Sequence, residues 1–143
     1  MKQDVMIQIK SIISADGEDE HIEVTTKGRR LKKGSITYLS YKETDQNGFD
    51  GNSVLIKAEG DERVTISRLG SARSQLLVEA GKRHLCSYST PFGTQTLGIT
   101  CSGIKAAYSG GEIKSISLIY ELDLNNILLS KNQLFITVKE CAN

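Results

Sequence analysis

Apolar side chains in this chain recur at every second position rather than at every third and fourth. Val5, Ile7, Ile9 and Ile13 follow that rhythm through residues 4–14, and Ile22 and Val24 repeat it through 21–31. This is the spacing of a strand with one buried face. Asp16-Gly17-Glu18-Asp19 between the two runs reads as a turn. Further runs cover 35–44, 52–59, 63–69, 75–79, 83–90, 94–107, 113–124 and 134–138, each bounded by Gly, Asn, Asp or the single proline. No segment carries a capped helical repeat, and 122–129 is the one ambiguous stretch. Connections this short imply hairpins. Roughly eight to ten antiparallel strands in series predict an all-β meander that closes into a barrel, with a two-sheet sandwich as the structural alternative.

The 143 residues contain no internal repeat, low-complexity tract or linker, so 1–143 reads as one domain. A domain of that size buries about 68–70% of its extended-chain surface and needs no covalent staples. Eighteen Lys and Arg oppose seventeen Asp and Glu, which leaves no whole-protein field to gather a polyanion or a membrane. Three cysteines without a CxxC spacing fit neither a disulfide framework nor a zinc ribbon, and point to a reduced, cytoplasmic chain. The first ten residues lack the continuous apolar core of a signal peptide, and no run approaches the roughly 18 apolar residues of a spanning helix.

Period two also sorts the polar residues. Val64, Ile66 and Arg68 share a face, as do Ile116, Leu118, Tyr120 and Leu122, so Arg68 and Tyr120 are predicted to point into the barrel. Leu39, Tyr41 and Glu43 share a face as well, with Tyr38 on the opposite one. A buried guanidinium without a partner is costly. Arg68 therefore takes either the acid group of an apolar ligand, with Tyr41 and Tyr120 completing a polar floor and Tyr88 near the mouth, or an internal partner in Glu43. The internal pair is the preferred reading, because buried polar groups usually satisfy one another. Thr90-Pro91-Phe92-Gly93 reads as a hairpin tip, with Phe92 as a candidate plug for the mouth.

Lys27, Arg29, Arg30, Lys32 and Lys33 concentrate five cations around Gly28 and Gly34, where a hairpin is expected. Such a surface patch suits phosphates, but Tyr38 is the only aromatic platform nearby, which argues against single-stranded nucleic acid. His84 and Cys86 lie on one strand face about 7 Å apart, too far for a nucleophile and its base. His21 and His84 without clustered carboxylates make no metal site. No P-loop, dinucleotide fingerprint or nucleophile elbow is present, so no cofactor is implied and no reaction is nominated.

Four elements, Tyr38-x-x-Tyr41-x-Glu43, Arg68-x-Gly70, Tyr88-x-Thr90-Pro91-x-Gly93 and Tyr120-x-Leu122, resemble the YwiB family, or DUF1934, in order and spacing. That resemblance implies a calycin or lipocalin-like β-barrel from a bacterial family of no established role. Gln75-Leu76-Leu77-Val78 departs from it, with aliphatics where the family often carries Met and an aromatic. Two functions follow as expectations. In the first, the barrel holds a small apolar or acidic ligand at Arg68, Glu43, Tyr41, Tyr120 and Tyr88. In the alternative, it is filled by its own side chains and acts as an interaction module through residues 27–33.

Overall fold

A computed structural model describes residues 2–43, 53–70, 74–90 and 93–141. Its described elements are ten antiparallel strands: β1 (Lys2–Ala15), β2 (Glu18–Lys33), β3 (Ile36–Lys42), β4 (Ser53–Glu59), β5 (Arg63–Leu69), β6 (Ser74–Glu79), β7 (Arg83–Thr90), β8 (Gly93–Ser109), β9 (Glu112–Leu124) and β10 (Ile127–Glu140). Each pairs with its neighbours in sequence, and β1 pairs with β10 to close the barrel. The ambiguous stretch at 122–129 is the end of β9, a turn and the start of β10. Among the described residues no helix is long and apolar enough to cross a membrane.

Turn chemistry explains the meander. Asp16-Gly17, Gly110-Gly111 and Asn125-Asn126 all have positive φ at both positions. That is the backbone of a type I′ turn, whose twist matches the right-handed twist of paired strands. Gly, Asn and Asp are the residues that tolerate it.

The wall is uneven in height. β1, β2, β8, β9 and β10 run 13 to 17 residues each, whereas β3 to β7 run six to eight. Inward side chains of both sections form a single aliphatic cluster that includes Val5, Ile7, Leu39, Ile56, Val64, Val78, Ile99, Leu118 and Ile136. One neighbouring pair is poorly joined. Between β6 and β7 the one described pairing is Ser74 with Tyr88, and the Leu77 amide donates to Cys86 Sγ at 3.4 Å instead of to a carbonyl. The end of β6 bridges instead to β8, through Ala80 and Cys101.

A buried charge ties four strands together near one end of the barrel. Arg30 is 1% exposed. Its guanidinium meets Glu112 at 2.9 Å and Glu140 at 2.7 Å, and donates to Gln3 Oε1 at 2.6 Å and to the Ile113 carbonyl at 3.2 Å. These partners lie on β1, β9 and β10, so one side chain links four adjacent strands. Arg30 is thus no surface cation, and residues 27–33 are no hairpin. They form the last part of β2, and the turn follows at Gly34-Ser35. Alternation along β2 sends Arg30 to the side of Val24 and Ile22, while Lys27, Arg29, Leu31 and Lys33 face outward. Lys32 Nζ, at the end of the strand, donates to the Gly111 carbonyl at 2.6 Å.

Hydrogen bonds from Arg30 and then Lys114 hold the Glu140 carboxyl below its usual range. Asp123 is lowered first by its hydrogen bond from Arg83, and Glu79 by those from His84 and Lys82. Carboxylates that release their protons more readily in the folded state contribute stability above their unfolded pKa. They lose it as pH falls through the lowered folded values. Thermal melts should therefore show stability declining below about pH 4, and Glu140→Gln should flatten that decline. Arg30→Met takes the guanidinium from Glu112, Gln3 and the Ile113 carbonyl, and leaves Glu140 with Lys114 alone. Because Glu112 and Glu140 are 34% and 55% exposed and can rehydrate, urea unfolding should register a loss of about 3 kcal/mol, the lower end for a broken buried pair. Arg29→Met on the outer face should change little.

Candidate functional site

At the top of the short wall the structure brings three of the sequence-nominated residues together. Tyr41 on β3 is opposite Val54 on β4, which is opposite Arg68 on β5. These side chains share the inner face. Arg68 Nε donates to Glu43 Oε1 at 2.8 Å and its NH2 donates to Oε2 at 3.1 Å. This is a two-pronged pair using both carboxylate oxygens. Burial, and then the nearby Glu43 charge, push the Tyr41 hydroxyl up to about 12, against a smaller opposite pull from Arg68. Tyr41 therefore stays a neutral phenol throughout the physiological range.

The other nominated residues lie elsewhere. Tyr120 is buried on the tall wall, opposite Cys101 and Asn132. The Tyr88 backbone pairs with Ser74 and Gln95, and its ring lies outside the described residues, as do Pro91 and Phe92. Room for Tyr41 comes from Gly28, its partner across β2 and β3. A Cβ at that position would stand 2.5 Å from the Ser40 carbonyl oxygen and would strike the Ile7 side chain.

Concave surface lies on the outside of the wall. A groove of about 420 Å³ is lined by Arg29, Leu31, Lys33, Tyr38, Ser40 and Leu55. A second, of about 700 Å³, continues from Leu55 past Lys57, the Glu59–Arg63 pair, Thr65 and Leu69 to Leu77 and Leu85, and where the β6–β7 pairing is thin it also reaches Arg68 and Cys86 of the inner face. Leu55 belongs to both, so the two form one channel across β2 to β7. Leu55, Leu69 and Leu85 are exposed there. Lys33 and Lys57 have no partner among the described residues. Arg29 reaches only Asp4, at 3.7 Å, with both side chains largely exposed.

Sequence reasoning missed three features. Arg30 was readable from its parity with Ile22 and Val24. Arg83 forms a two-pronged pair with Asp123, at 3.1 and 2.7 Å, across the outer surface. A Cβ on Gly98 would enter that pair, which explains a glycine in mid-strand. His84 meets Glu79 at 2.8 Å. The last two join residues from different strands or turns, and no local pattern announces them.

The match to the family model described as "Domain of unknown function (DUF1934)" covers residues 7–136. The chain belongs to this family. A similar protein is the "Uncharacterized beta-barrel protein YwiB" of Bacillus subtilis (strain 168), 27% identical over 128 residues, which are 88% of this chain and 87% of that one. The crystal structure of the YwiB protein from Bacillus subtilis superposes with a TM-score of 0.81 at 24% identity, covering 99% of this chain and 94% of the other. That likeness establishes the fold of this DUF1934 member as an antiparallel β-barrel of the YwiB kind.

Because Arg68 and Glu43 are only 33% and 21% exposed, a double-mutant cycle with Arg68→Met and Glu43→Gln should return a coupling of about 1 kcal/mol, the upper end of the range for a solvated pair. Zero coupling in urea melts would mean that the pair contributes nothing to the folded state.

Proposed function

We propose that this protein is an interaction module whose outer wall, from β2 to β7, binds an acidic, partly apolar segment of another protein. The observation that carries this reading is the channel itself. It combines exposed leucines with lysines that lack partners, and its neighbours on the opposite face are already packed into the core. Apolar patches rimmed by charge are the usual form of a protein contact surface. Unpaired cations at its edge speed the encounter with an anionic partner and select against a cationic one.

The lumen reading has less support. Its anchor, Arg68, already holds Glu43 with two bonds, so an acidic ligand would have to displace a carboxylate that is bound intramolecularly. Single-stranded nucleic acid fits less well than a peptide, since among the described residues Tyr38 is the one aromatic side chain lining the channel and base stacking calls for several platforms.

A fluorescein-labelled peptide of alternating glutamate and leucine tests the proposal by anisotropy, alongside a single-stranded oligonucleotide of equal charge. The peptide should bind, more weakly as salt rises. The Lys33→Glu, Lys57→Glu double variant should weaken it about tenfold, equivalent to about 1.4 kcal/mol, and Leu85→Asp should weaken it without altering the melting temperature. Absence of peptide binding, or preferential binding of the oligonucleotide, would overturn the reading.

A further inference from the structure

Among the described residues, the tall wall ends on one side in an unpaired strand edge. β1 pairs with β2 from Glu18 to Leu31, whereas β3 pairs with β2 only from Gly28 to Lys33. Over Glu18 to Lys27 the edge of β2 facing away from β1 therefore has no strand against it and no backbone hydrogen bond among the described residues. This leaves about 33 Å of edge, at about 3.3 Å per residue. Two aliphatic side chains on the inner face of the same segment, Ile22 and Val24, are 42% and 43% exposed, although their parity partner Arg30 is buried.

We infer that this edge pairs with the same edge of a second copy, antiparallel about a two-fold axis, joining two barrels through a continuous sheet. The charge pattern narrows the register, and the length of edge used selects among those left. Glu18, Asp19, Glu20 and Glu23 would repel a parallel copy, because each carboxylate would face its own counterpart, and they discourage indiscriminate strand addition. A two-fold axis perpendicular to the sheet must pass between a residue and its own copy, since opposed residues share a face. Centring on Glu23 opposes two carboxylates, and centring on His21 opposes Asp19 to Glu23.

Centring on Ile22 avoids both conflicts. It sets Ile22 against Ile22, His21 against Glu23 twice, Glu20 against Val24, Asp19 against Thr25 and Glu18 against Thr26. No like charges meet, nearly the whole bare edge is used, and the exposed aliphatics are covered. The contact lies on the edge of β2, away from the outer channel, and stands or falls independently of it.

Sedimentation velocity at about 100 µM, where even a micromolar dimer would be mostly formed, tests the inference. The wild-type chain should sediment as a dimer. Ile22→Lys, which places two ammonium groups opposite each other at an exposed position, should be a monomer with an unchanged melting temperature. In a Cys141→Ser background, Ile22→Cys should form an intermolecular disulfide on mild oxidation, because directly opposed strand residues approach closely enough for one. Leu85→Cys should not. Lys33→Glu with Lys57→Glu should leave the dimer intact. A monomeric wild-type chain, or an Ile22→Lys variant that remains a dimer, would overturn the inference.

Discussion

A guanidinium buried almost completely at one end of the barrel constrains the rest of the molecule. Arg30 can be tolerated there only if a carboxylate from β9, another from β10, an amide from β1 and a backbone carbonyl arrive together. Each of those groups is delivered by a strand whose position depends on pairing with its neighbour. A slip of one residue along β2 would turn Arg30 toward solvent and send its apolar companions with it. Such charges do not necessarily add net stability over a hydrophobic filling. Here the arrangement penalises every register but one, and so specifies the closed form among the ways a ten-strand meander could curl.

With Arg30 held by Glu112 and Glu140 at one end and Arg68 by Glu43 at the other, both inner-face guanidiniums have partners within the protein. The two recognition surfaces proposed above are the outside of the short wall and the edge of the tall one. The difference in strand length creates both surfaces. Because β3 stops beside the lower part of β2, the upper part of β2 has no neighbour on that side among the described residues, while the short strands form a wall with a channel across its outer face.

The period-two rhythm made the barrel legible, and with it the inward placement of Arg68, Tyr41 and Tyr120, because alternation is a local property that one strand reports without help. Arg30 was legible by the same rule, and only the density of cations around it suggested a solvated loop. The hairpin expected at 27–33 falls instead at Gly34-Ser35, since Gly28 is required for the close approach of Tyr41 and not for a turn. Arg83 with Asp123, and His84 with Glu79, depend on which strands become neighbours and on how far the turns bend. Strand height was also hidden. β10 begins at Ile127, well before the alternation at Leu134 becomes clear, since its first residues lie above the core and need no apolar rhythm.

A barrel escapes the hazards of an open sheet only while every adjacent pair of strands holds. Between β6 and β7 that condition is met by one described backbone pairing and a bond to a thiol. Mechanically, the molecule is a curled sheet whose two borders happen to be joined by a hairpin. Breathing motions that widen the cylinder will not be shared equally around its circumference. Among the described residues the β6–β7 line has the fewest backbone bonds to break, so widening would meet its least backbone resistance there, a direction that the near-regular meander would not suggest.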